Sequence, residues 1–382
     1  MENKIKAIQK ILVENGADAC LITSSVNLFW ICGFIFDGYL YITAERDPIY
    51  FVKRPIDLNV DGALYIRKPE QIPHLLSDLG IKSPKSVFIE ANSISLNASK
   101  RLENALGSPK LLNMSGYLSR LRMIKNDYEL NEMRESAKIH SKVYEEIPKL
   151  YRKGMTDLEL QIEIEYSMRK HGSLGIFRSN GDNMDIFMGS VLAGDNAQHS
   201  SPYDFALGGQ GISPILPLGA NNSVLIPGQT VMIDMAGNFR PYMDDMSRTF
   251  VIEHAPDIAY KAHEVSLKIH NEIAKTAKDG TLCNELYNTA IEICEENNLS
   301  AYFMGTNQQA KFIGHGLGLE INEPPVISSR SIDKLIEGMT IALEPKFVLP
   351  NIGPVGIENT YIVKKNGLEK ITIFEENLIA LN

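Results

Sequence analysis

Two carboxylates near the middle of the chain, eleven residues apart, stand beside apolar runs. Asp234 ends one run that is typical of a buried strand, and Asp245 begins another. Residues 238–242 have the composition of a hairpin turn, so both carboxylates are predicted to face one point. An unpaired carboxylate in a core is costly. Either a metal ion neutralises the two, or Arg248 pairs with one while the loop leaves the other in water.

A second pair of acids and a histidine follow toward the end of the chain. Glu344 and Glu358 each interrupt an apolar strand pattern, and residues 349–354 between them have turn composition. His315 lies among glycines, which allow close approach of a ligand. Oxygen-rich ligand sets with one histidine suit Mn, Zn, Co or Fe, often as two ions that share bridging carboxylates. The five residues together therefore predict a metal site.

Length and composition narrow the class of protein. A chain of 382 residues is too long for one ordinary core, so two domains are expected. The net charge of -9 argues against a nucleic-acid partner. We find no signal sequence and no apolar run long enough for a bilayer, so no membrane partner is expected. The four cysteines have no CxxC spacing, which is typical of reduced thiols in a cytoplasmic protein.

The chain divides into a predicted small α/β domain over residues 1–120 and a catalytic domain over residues 121–382. Ile5, Ile8, Ile11 and Leu12 recur at helical spacing in the first helix. Residues 38–43 and 48–52 predict a hairpin. In the second domain, Asn126 or Asp127 is expected to cap a helix, and another helix is expected from residue 157 to 171.

The five candidate ligands resemble those of the pita-bread metallopeptidases, which include prolidase, aminopeptidase P, methionine aminopeptidase and the non-peptidase creatinase. The resemblance covers essentially the whole chain and rests on order, spacing and neighbours. The motif positions are Asp234, Asp245 before Ser247-Arg248-Thr249, His315 in Gly-His-Gly-x-Gly, Glu344 in Glu-Pro, and Glu358 in Ile-Glu-Asn.

This resemblance implies a two-domain α/β fold. A small creatinase-like N-terminal domain would precede a C-terminal pita-bread domain with a curved, mainly antiparallel sheet. The first domain is absent from methionine aminopeptidase, and in the other members the segment around Trp30 lies near the active-site mouth. Trp30 is therefore either a pocket residue or a tryptophan of the core or domain interface.

The resemblance also implies two divalent metal ions, with Mn preferred and Co, Zn or Fe as alternatives. Asp234 would hold one ion, His315 and Glu344 the other, and Asp245 and Glu358 would bridge them. The expected reaction is hydrolysis of a short peptide, as in an Xaa-Pro dipeptidase or aminopeptidase, by a homodimer. Glu344 is the candidate for moving a proton to the leaving nitrogen.

Three positions depart from the family pattern around the substrate. The usual Pro-His pair is missing, and His199 either replaces its imidazole or is a surface histidine, while the Tyr203 hydroxyl is a further alternative. Asn322 stands where a second histidine is common; its amide can orient an oxyanion but carries no proton at neutral pH. Gly356 replaces an arginine that could hold a substrate carboxylate.

These departures leave two alternatives to a peptidase. One is a hydrolase of a small non-peptide C–N compound, as in creatinase, because fold membership does not settle function. The other is a catalytically weak binding homologue. The preserved ligand set favours an enzyme over the second alternative.

Overall fold

The computed structural model describes residues 1–179 and 186–382. The chain forms two compact units, Met1–Arg122 and Met123–Asn382. The division falls two residues after the predicted boundary. No helix in the described part of the chain is long and apolar enough to cross a membrane.

The first unit is a six-stranded mixed sheet with helices. Its strands are β1 Ala19–Ile22, β2 Asp37–Thr43, β3 Ile49–Arg54, β4 Ala63–Tyr65, β5 Ser86–Ile89 and β6 Lys110–Asn113. Its helices are α1 Glu2–Glu14, α2 Ser25–Cys32, α3 Ile72–Asp78, α4 Leu96–Ala105 and α5 Ser115–Met123, with a 3-10 turn at Pro69–Gln71. The strand order is β4-β3-β2-β1-β5-β6. The predicted hairpin of β2 and β3 is confirmed by their antiparallel pairing.

The core of the first unit follows from its apolar periodicity. The four apolar residues predicted at helical spacing in α1 are all buried, because their spacing places them on one face of the helix. Trp30 is also buried, with the Lys4 ammonium 5.0 Å above its ring. Leu21, Tyr41 and Phe51 form part of the core of the sheet.

The second unit combines antiparallel strands with four long helices among the described residues. The helices are α6 Asp127–Leu150, α7 Asp157–Lys170, α8 Asp257–Thr276 and α9 Cys283–Glu296, and 3-10 turns lie at Gly194–Gln198 and Ser300–Tyr302. The first strands are β7 Gly189–Ala193, β8 Thr230–Gly237, β9 Asp244–Ile252, β10 Phe312–Gly316, β11 Glu323–Ser328 and β12 Thr340–Leu343. The remaining strands are β13 Lys346–Leu349, β14 Gly353–Gly356, β15 Asn359–Lys364, β16 Gly367–Lys370 and β17 Ile379–Leu381.

These strands form three hydrogen-bonded sheets. Their orders are β17-β9-β8-β7, β11-β10-β12-β15-β16, and the two-stranded β13-β14. Every neighbouring pair is antiparallel except β17 and β9. The mainly antiparallel architecture is thus confirmed. An isolated bridge between Ser247 and Glu358 links β9 to the segment that precedes β15.

Helices bury the sheets of the second unit. Asn126 caps α6, as one of the two predicted alternatives, and its side chain and that of Glu129 form a reciprocal capping box that the sequence analysis did not predict. Val143 and Ile147 of α6 share an apolar cluster with Ile233 of β8. Helices α8 and α9 contribute to a second cluster with β10, β12 and β13. Apolar side chains of the helices therefore pack against the strands that carry the candidate ligands.

Candidate metal centre

Asp234 and Asp245 lie on the hairpin formed by β8 and β9. In the register of this antiparallel pair, Ala236 lies opposite Asp245. Side chains alternate along a strand, and residues opposite each other point to the same face. Asp234, two residues before Ala236, therefore shares a face with Asp245. The hairpin that the sequence predicted is confirmed.

The other three candidate ligands come from the second sheet. His315 on β10 pairs with Ala342 of β12, which places it beside Glu344 just beyond the end of β12. The Glu358 amide donates to the Ser247 carbonyl at 3.1 Å, which draws the segment before β15 against β9. All five candidate ligands line one cavity. The structure therefore brings together residues that are up to 124 positions apart, from 234 to 358.

Within the cavity wall the five residues form two groups that share Glu358. The potential ligand atoms of Asp245, His315 and Glu358 lie within 4.8 Å of one another, and so do those of Asp234, Glu344 and Glu358. The two groups also meet between His315 Nε2 and Glu344 Oε1, which are 3.5 Å apart.

A lysine that the sequence analysis did not single out occupies the second group. Lys346 Nζ lies 2.8 Å from Asp234 Oδ2, 2.7 Å from Glu344 Oε2 and 3.0 Å from Glu358 Oε2. Its side chain has no exposed surface. Burial alone would lower the pKa of Lys346, but the three carboxylates outweigh it and raise the pKa well above its usual range. The signal in the sequence was a lysine at the start of an apolar strand, because lysine is rarely buried without a partner.

The carboxylates of the site have pKa values shifted in opposite directions, because nearby cations neutralise some of them more than others. Burial and the charge of Glu344 raise the pKa of Glu358 to about 8, and burial and Glu358 raise the pKa of Asp245. Burial would also raise the pKa of Glu344, but Lys346 and His315 lower it to about 2. Negative charge on Asp245 and Glu358 is therefore incompletely neutralised by the protein.

The group of Asp245, His315 and Glu358 fits one divalent ion. The buried Oε1 of Glu358 has no hydrogen-bond partner within the described ranges. His315 Nδ1 lies 3.1 Å from the Gly316 carbonyl; a proton donated there leaves Nε2 as a ligand atom. One nitrogen and several carboxylate oxygens suit Mn, Co, Zn or Fe. The group of Asp234, Glu344 and Glu358 does not fit an ion in the same way, because Lys346 already donates to all three.

Arg248 positions Glu358 from behind the cavity and does not pair with either aspartate. Its guanidinium donates to the backbone carbonyls of Ser247 at 2.9 Å and Glu358 at 2.8 Å, and to Asn359 Oδ1 at 3.0 Å. A further bond reaches the Glu375 carbonyl at 2.9 Å. The alternative in which Arg248 neutralises Asp234 or Asp245 is therefore wrong.

Helix α6 supports the hairpin with polar contacts that the sequence did not reveal. His140 Nδ1 lies 2.7 Å from Asp244 Oδ2, and both side chains are fully buried. The Tyr144 hydroxyl shares its single proton between the carbonyls of Ile233 and Met246, one on each strand of the hairpin. These contacts fix the backbone on either side of Asp234 and Asp245.

The remaining predicted residues take different positions. Asn322 lines the cavity, and its Oδ1 accepts a hydrogen bond from Ser179 Oγ at 3.1 Å, which leaves Nδ2 as the donor side of the amide. His199 is exposed and lies with Tyr203 in a separate, smaller depression, outside the described lining of the main cavity. Gly356 lies opposite Lys346 in the hairpin of β13 and β14.

The cavity has a volume of about 150 Å³ and a wall that is acidic and aromatic. The rings of Phe177 and Phe205 are stacked with their centroids 6.2 Å apart, and Asp204 lies beside them. No lysine or arginine lines the cavity in the part of the chain that the structure describes. The cavity therefore suits a small substrate with a neutral or positively charged group at this wall.

Comparisons with known proteins agree with the two-domain fold. A Pyrococcus horikoshii protein named Xaa-Pro dipeptidase is 25% identical over 383 residues, covering 99% of this chain and 99% of that protein. The solved structure of Xaa-Pro dipeptidase from Bacillus anthracis superposes with a TM-score of 0.83 at 24% identity and covers 100% of this chain and 99% of that one. That of X-Pro aminopeptidase from Thermotoga maritima gives 0.78 at 22% identity, with coverage of 96% and 98%.

Family assignment follows from both units of the chain. Residues 4–124 match the Creatinase/Prolidase N-terminal domain. Residues 131–365, which include all five candidate ligands, match metallopeptidase family M24. With this match over more than half of its length, the chain belongs to metallopeptidase family M24 and carries a creatinase/prolidase N-terminal domain.

Proposed function

We propose that this chain is a metal-assisted hydrolase of short peptides, with Xaa-Pro dipeptides and tripeptides as the first substrates to test. The observation that carries the proposal is the cluster of four carboxylates and one imidazole on the wall of a single cavity. The names of relatives that align over nearly the whole chain support the choice of Xaa-Pro substrates. Assembly as a homodimer and a cytoplasmic location remain predictions.

In this proposal Asp245, His315 and Glu358 would hold a divalent ion. Such an ion lowers the pKa of a bound water toward neutrality and polarises a carbonyl. The protein's own part begins with Arg248, whose bond to the Glu358 carbonyl fixes one ligand in place. The His315 ring is oriented by the Gly316 carbonyl. The ligand atoms are thus positioned before any substrate enters, which reduces the reorganisation needed during the reaction.

Glu344 and Asn322 are the proposed groups for proton transfer and charge stabilisation. Glu344 lines the cavity, and Lys346 holds its pKa near 2. Glu344 is therefore a carboxylate at neutral pH, and it would first accept a proton from the attacking water and then pass that proton to the leaving nitrogen. Asn322 lines the cavity and accepts from Ser179 at Oδ1, so its Nδ2 is the side of the amide that would donate to an oxyanion.

A second candidate function is favoured by the charge of the cavity wall. A dipeptide carries a free carboxylate, yet no lysine or arginine lines the described part of the wall. Phe177, Phe205 and Asp204 instead suit a cationic group. A small non-peptide C–N compound with a positively charged group therefore fits the described part of the wall better than a dipeptide does.

The experiment compares matched substrates on the full chain loaded with Mn²⁺. Ala-Pro, Ala-Pro amide, Ala-Pro-Ala and a panel of small amidines and guanidines are assayed for kcat/KM. A hydrogen bond from a cationic side chain to the substrate carboxylate contributes roughly 1.5–3 kcal/mol. This corresponds to a difference in kcat/KM of roughly 10- to 150-fold. We expect Ala-Pro to show no such advantage over its amide. Hydrolysis of peptides supports the first candidate, hydrolysis of non-peptides alone supports the second, and no turnover on either panel contradicts both.

Two variants control this experiment. Asp245→Ala removes a proposed ligand and should abolish turnover. Lys153→Ala removes an exposed lysine that pairs with Glu253 at 2.9 Å and should leave turnover unchanged.

A further inference from the structure

The ammonium of Lys346 has the surroundings of a bound ion. Three carboxylate oxygens, from Asp234, Glu344 and Glu358, accept from it at 2.7 to 3.0 Å. A lysine ammonium has three N–H donors and no acceptor, so these contacts use its full capacity. The side chain is completely buried, and no exposed position is available to it without a change in packing.

The backbone around Lys346 fixes the ammonium in this place. Lys346 begins β13 and pairs with Gly356 of β14. A Cβ on Gly356 would lie 3.1 Å from Lys346 Cα and 2.7 Å from the Pro345 carbonyl, so the two strands approach more closely than a side chain allows. The Lys346 carbonyl also accepts from the Met304 amide at 2.8 Å. The lysine is therefore part of a tightly packed hairpin.

The glutamates divide their oxygens between two partners. Oε2 of Glu344 and Oε2 of Glu358 both accept from Lys346. Oε1 of Glu344 faces His315 Nε2 at 3.5 Å, and Oε1 of Glu358 has no hydrogen-bond partner in the residues described. One oxygen of each glutamate is thus committed to the lysine, and the other is left for the group that contains His315.

The oxygens that Lys346 already occupies favour one ion beside the ammonium. Asp234, Asp245, Glu344 and Glu358 supply four negative charges. One ammonium and one divalent ion leave a net charge of -1, and the ammonium with two ions leaves +1, so the total charge does not distinguish the two arrangements. The oxygens of Asp234, Glu344 and Glu358 that face Nζ already accept from it at 2.7 to 3.0 Å. A second ion at these oxygens would lie against the ammonium, and two cations in contact at a buried site repel each other strongly.

We propose that Lys346 takes the place of the second metal ion, so that the chain has a mononuclear centre at Asp245, His315 and Glu358 with a built-in cation beside it. This inference rests on the proposed ligand group but not on any particular substrate. It differs from the two-ion centre that the family resemblance implied. A lysine in this position neutralises the carboxylates without supplying a coordination site for water.

The test measures how many ions each chain binds. Tag-free, chelator-treated protein is titrated with Mn²⁺, binding is followed by calorimetry, and bound Mn²⁺ is examined by electron paramagnetic resonance. We expect the wild-type chain to bind one ion, with the six-line spectrum of an isolated Mn²⁺. Lys346→Ala vacates the ammonium position and should bind two ions, with the broadened spectrum of a coupled pair. Lys153→Ala should behave as the wild type does.

The measurement on the wild type decides the proposal even where the variant folds poorly. Lys346→Ala leaves four carboxylates without a counter-ion, so it is produced in the presence of Mn²⁺. Two ions bound to the wild-type chain would overturn the proposal and leave the proposed hydrolase function standing. No bound ion would overturn both. Failure to hydrolyse peptides, with one ion bound, would contradict the substrate proposal alone.

Discussion

His270 on α8 provides a quantitative test of the packing behind the site. Its side chain is buried; Nε2 lies 3.1 Å from the Ile357 carbonyl and Nδ1 lies 3.1 Å from the Tyr361 hydroxyl. A neutral imidazole satisfies both contacts, because Nε2–H donates to the carbonyl and Nδ1 accepts from the hydroxyl. Burial lowers the pKa of His270 from 6.5 to about 4.

The sign of the effect on stability follows from linkage. The folded state binds a proton on His270 less readily than the unfolded state does, so this group lowers the free energy of unfolding as pH falls. Above pH 6.5 the imidazole is neutral in both states and has no effect. The difference between 6.5 and about 4 corresponds to about 3 kcal/mol when fully developed, and about 2 kcal/mol is already lost at pH 5.

The assay is urea denaturation, at pH 7.5 and pH 5, of protein from which metal has been removed with a chelator. His270→Gln removes the titrating group, so its free energy of unfolding should fall by about 2 kcal/mol less than that of the wild type between these pH values. The exposed His254 supplies the control, and His254→Gln should match the wild type. His263, whose pKa burial also lowers, contributes equally in all three proteins. An equal loss of stability in wild type and His270→Gln would refute the reasoning.

Three further predictions concern the site and its support. Arg248→Lys cannot make the five donor contacts of the buried guanidinium and should lower the free energy of unfolding by about 3 kcal/mol in urea denaturation; an unchanged midpoint would contradict this. Gly356→Ala places a Cβ 2.7 Å from a carbonyl at a φ of +124 and should lower the melting temperature, whereas Gly367→Ala, with nothing within 4 Å, should not. Asn322→His should raise kcat on the preferred peptide, since a positioned acid–base group is worth roughly 10²- to 10⁴-fold, while His199→Ala should leave kcat unchanged; the reverse pattern would place the missing imidazole at His199.

Local patterns predicted the parts of the fold that depend on neighbours in sequence. The β8 and β9 hairpin follows from two apolar runs around a turn, and the start of α6 follows from the capping residue expected at Asn126 or Asp127. The candidate ligands could be identified because each lies within an apolar strand or among glycines. A charged or polar side chain buried there is unfavourable unless it has a partner.

The partners of buried charges could not be predicted in this way. Lys346 finds its acceptors 2, 12 and 112 positions away, and Arg248 finds acceptors up to 127 positions away. Strand periodicity indicates that such residues are buried but does not show which distant carbonyl or carboxylate meets them. Only the tertiary structure, in which β9, β13 and the segment before β15 converge, supplies that information.

The proposed role of Lys346, which is buried behind the carboxylates of the cavity, changes how the protein would depend on its metal supply. A bound metal ion dissociates when the concentration of free metal falls, but the ammonium of Lys346 is covalently attached to the chain and stays in place. Asp234, Glu344 and Glu358 therefore keep their spacing in a cell starved of metal, where the carboxylates of an all-ion centre would repel one another. In the proposed centre the lysine supplies one of the positive charges, and a single bound ion would supply the rest.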